Sequence, residues 1–232
     1  MKLNKEKADR VKKRSFVALG VIFGVLLIDQ LLKFYIKTNF ALGGGFDILG
    51  LSWAKIHFVE NEGMAFGLEL GGDYGKLLLT LFRLIAVGGI GWYLYTLIRE
   101  KANIGLIISI ALVCAGAMGN IFDSVFYGLI FSESTFTQVA EFMPAGGGYT
   151  TALHGHVVDM LYFPMAQGHW PEWMPFIGGK YYHFFRPVFN IADSAITCGV
   201  LSILIFQRSI FAAPAEPQSD KPVVTEEPRT EE

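Results

Sequence analysis

Charged residues are scarce in this chain of 232 residues, and their scarcity excludes most soluble folds. Asp, Glu, Lys and Arg together make up 17% of the sequence, whereas hydrophobic residues make up 52%. Such a composition is typical of integral membrane proteins, because a soluble domain needs more polar residues to cover its surface. The net charge of −2 also excludes the strongly basic surface that nucleic-acid binding requires. We therefore expect a membrane protein without a nucleic-acid partner.

Cysteines and cofactor motifs are also few. The two cysteines, Cys114 and Cys198, both lie inside long apolar runs, where a thiol acts as a small apolar side chain. This placement argues against a disulfide framework. The sequence has no phosphate-binding glycine loop, no dinucleotide fingerprint and no zinc-type cysteine spacing, and its loop histidines lack a metal-ligand spacing. We therefore expect neither a metal nor an organic cofactor.

Four apolar segments are long enough to cross a membrane, which takes about 20 residues for roughly 30 Å of hydrocarbon. The predicted spans are 15–36, 77–98, 104–126 and 190–211. The first is too long for a signal peptide and lacks a small-residue cleavage site, so we interpret it as a retained anchor. The predicted domains are a basic N-terminus (1–14), a four-span membrane domain (15–211) and a disordered tail rich in Pro and Glu (212–232).

Lysines and arginines indicate how the spans are oriented. Seven of them precede the first span, Arg99 and Lys101 lie between the second and third, and Arg208 lies near the end of the fourth. The positive-inside rule then predicts that both termini lie in the cytoplasm. The segments 37–76 and 127–189 are therefore expected at the outer, periplasmic face.

The two outer segments have different patterns. Residues 51–59 alternate loosely between apolar and polar, which predicts a strand, and the glycines at 43–45 predict a turn before it. Residues 133–142 are predicted to form a short amphipathic helix in the membrane interface. A later aromatic cluster favours contact with the outer leaflet, although an ordinary packed loop would explain the same pattern. The cluster comprises Trp170, Trp173, Tyr181, Tyr182, Phe184 and Phe185.

Two carboxylates lie where a membrane protein rarely keeps them without a function. Asp193 lies near the start of the otherwise uncharged run 191–206, and Asp159 is surrounded by apolar neighbours in the sequence VVDML. An ionised group at mid-membrane costs at least about 2.5–3.5 kcal/mol, so such residues are functional candidates. Two carboxylates that converge on one site can share a proton, so that one acts as a base while the other stays an acid. This is the chemistry of peptide hydrolysis by water.

Depth along the helices brings several polar residues to one level. At 1.5 Å per residue, Asp29 lies roughly 20 Å into the first span and Asn120 roughly 24 Å into the third, which runs in the same direction. The fourth span runs the other way and begins with Asn190. We therefore expect one polar pocket near the outer boundary, within reach of Asn61 and Asp159 from the outer segments.

Each of these residues also has a purely structural explanation. Asp29 and Lys33 are four residues apart on one helix, which is the spacing of an interfacial ion pair with a snorkelling lysine. The polar residues of 120–123 could cap the outer end of the third span. Asn190 and Asp193 could be the N-cap and the first-turn acid of the fourth. The shared depth and the second carboxylate at Asp159 favour a functional pocket.

Five ordered sequence blocks resemble the lipoprotein signal peptidases, or signal peptidase II, which are intramembrane aspartyl proteases of bacteria. The resemblance covers about residues 15–210. Its blocks are DQLLK at 29–33, NEGMAF at 61–66, GNIFD at 119–123, VVD at 157–159 and FNIADS at 189–194. It implies an α-helical protease with four transmembrane helices in the inner membrane and a strand-containing cradle at the outer face. It also implies a monomer among membrane lipids that cleaves prolipoproteins whose cysteine carries diacylglycerol.

The resemblance further implies roles for individual residues. Asp159 and Asp193 would form the catalytic pair. The residues implied to line or support the pocket are Asn61, Gly63, Asn120, Asp123, Asn190, Asp29 and Lys33. One departure is Ser124, where the family usually has arginine, and Arg83 or Arg186 could replace that contact. The stretches 130–155 and 161–188 are also long for the family.

Two other classes of function fit part of the pattern. A small transporter would place polar groups along a route through the bilayer, whereas here they gather at one face. A non-enzymatic lipoprotein-assembly factor would use the aspartates only as helix caps. The paired carboxylates favour the protease over both.

Overall fold

The structure is a computed structural model that describes residues 2–61, 72–184 and 187–211. Gly63, Arg186 and the predicted tail at 212–232 lie outside the described residues. The helices are α1 (Lys2–Asn39), α2 (Gly72–Arg99), α3 (Ile104–Phe122), α4 (Gly128–Ile130) and α5 (Ile191–Phe211). The strands are β1 (Gly45–Asp47), β2 (Lys55–Asn61), β3 (Val157–Tyr162), β4 (Ala166–His169), β5 (Tyr181–Phe184) and β6 (Val188–Phe189).

Long apolar helices confirm the predicted membrane architecture. Among the described residues, three helices are long and apolar enough to span a membrane, namely Ala8–Asn39, Gly75–Arg99 and Ile104–Ile130, and α5 adds the shorter apolar helix Ile191–Phe206. Large apolar side chains such as Phe23 and Ile85 point away from the protein, where lipid would lie. The helix α1 begins at Lys2, so the described part of the basic segment before residue 15 is helical and continuous with the first span.

The third span extends past the predicted boundary at residue 126. After α3, residues Asp123–Tyr127 adopt π-helical geometry, and α4 completes the span. The Ser124 carbonyl accepts a hydrogen bond from the Gly155 N–H at 2.8 Å. A Cβ atom on Gly155 would lie 2.3 Å from the Asp123 carbonyl oxygen, so this close approach requires glycine. The wide turn thereby anchors the loop that leads into β3.

A four-stranded antiparallel sheet, in the order β1-β2-β3-β6, lies at the outer ends of the helices. The strand predicted at 51–59 is confirmed but displaced, because residues 52–54 form a turn and β2 begins at Lys55. The predicted glycine turn is also confirmed, since Gly43 has a φ of +77°. A Cβ atom on Gly45 would lie 1.9 Å from the Ile56 carbonyl oxygen, so β1 can pair this closely only with glycine there.

The central strands β2 and β3 present two different faces, because successive side chains alternate across a strand. Phe58 and Val158 lie on one face and are fully buried in a core that includes Ile36 of α1. Asn61 and Asp159 lie on the opposite face. They are diagonal neighbours on the two paired strands, offset by two residues in the register. The sheet therefore packs on the helices with one face and presents polar side chains with the other.

The helix predicted at 133–142 is wrong, because this segment is an extended loop. The Thr135 hydroxyl accepts a hydrogen bond from the Gln138 N–H at 3.0 Å, and this local turn competes with helical hydrogen bonding. A single bridge pairs Phe131 with Phe142. The Phe142 ring lies 5.2 Å from the Phe34 ring of α1 in an edge-to-face contact. Ring packing on α1 therefore holds the segment without helical structure.

Close contact between α3 and α5 fixes the start of the last helix. A Cβ atom on Gly116 would lie 2.1 Å from the Ala192 carbonyl oxygen, and one on Gly199 would lie 2.6 Å from the Ser109 carbonyl oxygen. Small residues are what allow two membrane helices to approach this closely. The opposite half of the bundle is closed by a buried apolar cluster, which contains Ala18, Leu94, Leu97, Ile98, Leu106, Ile107 and Ala111.

Candidate active site

A fully buried lysine organises the polar pocket. The Lys33 ammonium lies 2.9 Å from Asp29 Oδ2, 2.8 Å from Asp123 Oδ2 and 2.9 Å from Asn120 Oδ1. These three acceptors match the three N–H donors of an ammonium group. Lys33 is therefore a cross-link between α1 and the outer end of α3, and it is not a snorkelling surface residue.

The two carboxylates beside Lys33 also bind backbone groups of neighbouring elements. Asp29 Oδ1 accepts a hydrogen bond from the Ala192 N–H at 2.9 Å, in the first turn of α5. Asp123 Oδ2 accepts one from the Val158 N–H at 3.2 Å, one residue before Asp159. The buried cluster on α1 and α3 thus positions both the start of α5 and the strand β3.

Asn190 and Asp193 cap the start of α5 reciprocally. The Asp193 N–H donates to Asn190 Oδ1 at 2.9 Å, and the Asn190 N–H donates to Asp193 Oδ2 at 3.3 Å. This is the geometry of a capping box, with an acid at the third position of the helix. The capping of α5 that the sequence offered as a structural explanation is therefore present. It fixes the orientation of the Asp193 side chain.

Two asparagines bridge the two candidate catalytic carboxylates. Asn190 Nδ2 donates to Asp159 Oδ1 at 2.8 Å and to Asn120 Oδ1 at 2.9 Å. Asn120 Nδ2 in turn donates to Asp193 Oδ1 at 2.8 Å. A continuous path of side-chain hydrogen bonds therefore joins Asp159 to Asp193. Because the amide of Asn120 also accepts from Lys33, its orientation is set from both sides.

Asp159 lies in an environment that favours its protonated form. Burial raises the pKa of Asp159 to about 7, the charge of Asp193 adds to the shift, and Lys33 with the amides of Asn61 and Asn190 opposes it. Its side chain is 5% exposed, so little water solvates the charge. Two carboxylates of which one holds a proton near neutral pH can act as an acid and a base at the same time.

Comparison with known proteins identifies the family. The family model of signal peptidase (SPase) II matches residues 21–209. The chain belongs to the signal peptidase II family. A lipoprotein signal peptidase of Porphyromonas gingivalis is 46% identical over 190 residues, covering 82% of this chain and 81% of that protein. One from Amoebophilus asiaticus is 35% identical over 207 residues, covering 88% of this chain and 83% of that protein.

Solved structures show the same fold. A bacterial membrane enzyme determined by the in meso method at 2.3 Å resolution aligns with a TM-score of 0.53 at 23% identity, over 87% of this chain and 94% of that one. A second, determined at 1.9 Å, aligns with a TM-score of 0.50 at 25% identity. The four-helix arrangement with its outer sheet is thus shared with other membrane enzymes.

The structure brings eight of the nine predicted signal peptidase II site residues into one hydrogen-bonded network. They are Asp29, Lys33, Asn61, Asn120, Asp123, Asp159, Asn190 and Asp193. The ninth, Gly63, lies outside the described residues. The network gives these residues a common location, whereas their chemical roles stay predictions.

Ser124, the departure from the signal peptidase II pattern, is buried, and its side chain bonds within its own helical segment. Its hydroxyl donates to the Asn120 carbonyl at 3.1 Å, within the same helix. Of the two arginines suggested as replacements, Arg83 of α2 is half-buried and interacts electrostatically with both Asp193 and Asp159. Arg83 thus adds a positive charge from α2 to that of Lys33, which also acts on Asp159.

Two further side chains of the pocket were not predicted from the sequence. Gln30 Nε2 donates to Asp123 Oδ1 at 2.9 Å, and Gln30 Oε1 accepts from the Tyr127 hydroxyl at 3.2 Å. Gln30 stands between Asp29 and Lys33 in an apolar helix, and this intramembrane polarity is the signal that could have identified it. Tyr127 carries no such signal, because a tyrosine near the end of a span is ordinary.

Proposed function

We propose that this chain is an aspartic endopeptidase that removes the signal peptide from diacylglyceryl-modified prolipoproteins, with Asp159 and Asp193 as its catalytic pair. Membership of the signal peptidase II family supports the substrate class and the peptidase activity. The observation that carries the aspartic mechanism is the hydrogen-bonded path Asp159–Asn190–Asn120–Asp193 at the outer end of the helices.

Hydrolysis would use the shared proton of the pair. One carboxylate, ionised, takes a proton from a water molecule while the other, protonated, polarises the scissile carbonyl by donating a hydrogen bond. The water oxygen attacks the carbonyl carbon, and the resulting tetrahedral intermediate breaks when its nitrogen receives a proton from the pair. Because Asp159 and Asp193 share one proton in this mechanism, neither is assigned alone as the base.

The surrounding residues would hold the pair and the substrate. Asn120 and Asn190 keep the carboxylates oriented, while Asn61 extends from β2 toward Asp159. An extended substrate brings unpaired peptide groups to the membrane boundary, where leaving them unsatisfied is costly. The polar face of the sheet beside Asp159 offers donors and acceptors for such a peptide. Arg83 adds positive charge next to the two aspartates.

The proposal also includes the location of the enzyme. Basic residues before the first span and between the second and third support cytoplasmic termini in the bacterial inner membrane. The pocket and the sheet then lie at the periplasmic face, and the monomer is surrounded by membrane lipids. This is the side on which a secreted prolipoprotein presents its signal peptide junction.

Cleavage by the purified protein tests the proposal directly. The substrate is a prolipoprotein with diacylglyceryl on its cysteine, and the matched control is the same protein without the lipid. We expect the folded enzyme to cleave the lipid-modified form and to leave the control uncut. Folded, monodisperse protein that cleaves neither form would contradict the proposed activity.

A further inference from the structure

Two antiparallel strand pairs lie along the chain between Asp159 and Asp193. Leu161 of β3 pairs with Phe189 of β6, and His169 of β4 pairs with Tyr181 of β5. The same number of residues separates Leu161 from His169 as separates Tyr181 from Phe189. The β4–β5 hairpin is therefore in the register that the β3–β6 pairing would have if it were extended, although the two strand pairs belong to separate sheets. We call the described residues 161–184 and 187–189 the outer ribbon; Phe185 of the predicted aromatic cluster lies outside the described residues.

One face of the outer ribbon is aromatic. Side chains that pair directly, or that lie two residues apart on a strand, share a face. The Tyr182 ring covers Gly168, where an added Cβ atom would lie 3.3 Å from it, and the Trp170 ring lies 4.9 Å from the Tyr182 ring. Phe184 lies on the same face and is 63% exposed. The row from Phe184 to Trp170 is therefore an aromatic surface on this face of the hairpin.

The tip of the ribbon presents two large apolar side chains. Trp173 is 80% exposed and Phe176 is 94% exposed. Phe176 also has a φ of +67°, in the left-handed region that bulky residues rarely adopt. A loop that only connected two strands would gain nothing from a strained phenylalanine exposed to water. The tip carries one acid, Glu172, and one base, Lys180, so no net charge keeps it away from an apolar surface.

A second aromatic group lies at the base of the ribbon, next to the membrane helix α5 and on the ribbon face opposite to Tyr182. The Phe163 ring lies 5.7 Å from the Phe189 ring and 6.4 Å from the Trp53 ring. Phe189 directly precedes Asn190, the cap of α5. Trp and Tyr side chains collect at the boundary between lipid and water because one part of each ring system is apolar and another is polar. The base of the ribbon therefore carries aromatic side chains next to the residue that caps a membrane helix.

We propose that the outer ribbon is an interfacial membrane-binding element, whose aromatic face and tip rest on the outer leaflet of the bilayer that holds the helices. Asp159 lies on β3 just before the ribbon, and β6 leads directly into Asn190 and Asp193. Lipid contact would thus set the height of both strands relative to the membrane surface. The lipid contact itself is independent of the proposed function. Only the effect of strand height on catalysis rests on that function.

Quenching of tryptophan fluorescence tests the lipid contact without using activity. The full chain has four tryptophans, Trp53, Trp92, Trp170 and Trp173. A variant that retains Trp173 alone, with the others replaced by Phe, is reconstituted in phosphatidylethanolamine–phosphatidylglycerol nanodiscs. We expect brominated acyl chains to quench Trp173 at least twofold and iodide to quench it weakly. A variant retaining only Trp92, on the outward-facing surface of α2, is the positive control for lipid quenching.

Strong iodide quenching of Trp173 together with no quenching by brominated lipid would overturn the proposal. Because the measurement does not use cleavage, this outcome would overturn the lipid contact even if the proposed substrate were wrong. The lipid-modified substrate is left out of this measurement, so its acyl chains cannot account for the quenching.

The consequence for catalysis is tested with Trp173→Ser/Phe176→Ser, and with Trp173→Phe/Phe176→Tyr as the conservative control. We expect the serine variant to lose at least fivefold in cleavage rate in nanodiscs and little in detergent micelles, where no bilayer surface exists. The conservative variant should retain wild-type rates in both. An equal loss in detergent and in nanodiscs would overturn the height-setting role and indicate that the tip contacts the substrate itself.

Discussion

The ammonium of Lys37 and the carboxylate of Glu60 form a buried ion pair on the face of β2 that is opposite to the pocket. Ser134 Oγ accepts from Lys37 at 2.9 Å and donates to Glu60 Oε1 at 2.7 Å. The His156 ring nitrogen Nδ1 lies 3.2 Å from Glu60 Oε2. The next residue along the strand, Asn61, bonds Asp159 from the other face. This second ionic cluster therefore fixes the strand that supplies a pocket residue.

Removal of one partner from this pair should destabilise the protein strongly. Glu60→Ala leaves the Lys37 charge buried without its main partner, and such losses cost about 3–5 kcal/mol. Lys37→Met/Glu60→Leu removes both charges and should recover most of that loss. Thermal unfolding in detergent measures the effect. The matched control is the exposed pair Lys55–Asp47 at the other end of β2, where Asp47→Ala should cost about 0–1 kcal/mol.

The same cluster predicts how stability depends on acid. Burial opposes ionisation of Glu60, but its bonds with His156 and Lys37 outweigh burial and keep its pKa below the ordinary value. A depressed carboxyl pKa stabilises the folded state above the ordinary carboxyl pKa, and this stability is lost as pH falls through the folded value. The difference in melting temperature between wild type and Glu60→Gln should therefore shrink below about pH 4. A difference that stays constant from neutral pH to pH 3 would argue against an ionised Glu60.

Asparagine substitutions test the catalytic pair. Asp159→Asn and Asp193→Asn should each abolish cleavage, by at least about 10³-fold, because each removes a carboxylate needed for water activation and proton transfer. The double variant should be no worse than either single one, since residues that act as a unit are non-additive. The same substitution at Asp123 should be milder, because that carboxylate binds Lys33 and the Val158 N–H and lies outside the pair.

The competing explanation makes the opposite forecast for Asp193. Asparagine is as good as aspartate at capping a helix N-terminus, so a residue that only caps α5 should tolerate the change. Purified Asp193→Asn that cleaves lipid-modified substrate at a rate comparable with wild type would end the aspartic assignment. Equal expression and melting temperature of the two proteins are the necessary controls.

Activity should fall on the alkaline side of neutrality. The pair works with one shared proton, and burial raises the pKa of Asp159 to about 7, with the charge of Asp193 adding to the shift. As pH rises through this value the proton is lost and both carboxylates become charged, so kcat should decline. The raised pKa of Asp159 also affects stability, because a carboxyl group whose pKa is raised in the folded state destabilises that state at high pH. Asp159→Asn should therefore melt at a higher temperature than wild type at pH 8 and show a smaller difference at pH 5.

Asp29 should matter for stability as well as for activity. Asp29→Ala removes one acceptor of the Lys33 ammonium and the acceptor of the Ala192 N–H. We expect a loss of about 3–5 kcal/mol, together with lower folded yield, because a buried charge network is left incomplete. An inactive Asp29→Ala variant with wild-type stability would instead place Asp29 in direct contact with the reacting groups.

The parts of this site that could be predicted from the sequence are those that local geometry determines. Depth along a helix is local, so the common level of Asp29, Asn120 and Asn190 followed from counting residues. The capping box at Asn190 and Asp193 is also local, and both residue types indicated it. By contrast, the helix predicted at 133–142 fails because the rings of Phe142 and Phe34 meet only in the folded structure.

Contacts between distant strands were beyond sequence reasoning. The pairing of β2 with β3 places Glu60 beside Val158, about a hundred residues later, and no periodic pattern announces that register. For the outer ribbon, the sequence indicated an aromatic cluster that favours contact with the outer leaflet, but it did not indicate the strand pairing. The bond between the Ser124 carbonyl and Gly155 depends on a π-helical turn, which the apolar pattern of a span does not reveal.

The unshifted register of the outer ribbon also makes this part of the chain tolerant of changes in length. Leu161 pairs with Phe189 at one end of the ribbon, and the turn at its other end joins the strands independently of that pair. Removing two residues from each strand would shorten the ribbon, keep the same side chains on each face and leave the ends beside Asp159 and Asp193 in place. Removing one residue from each would keep the ends in place but turn the tip over. Related enzymes can thus differ in how far they extend from the helices while their chemistry stays the same.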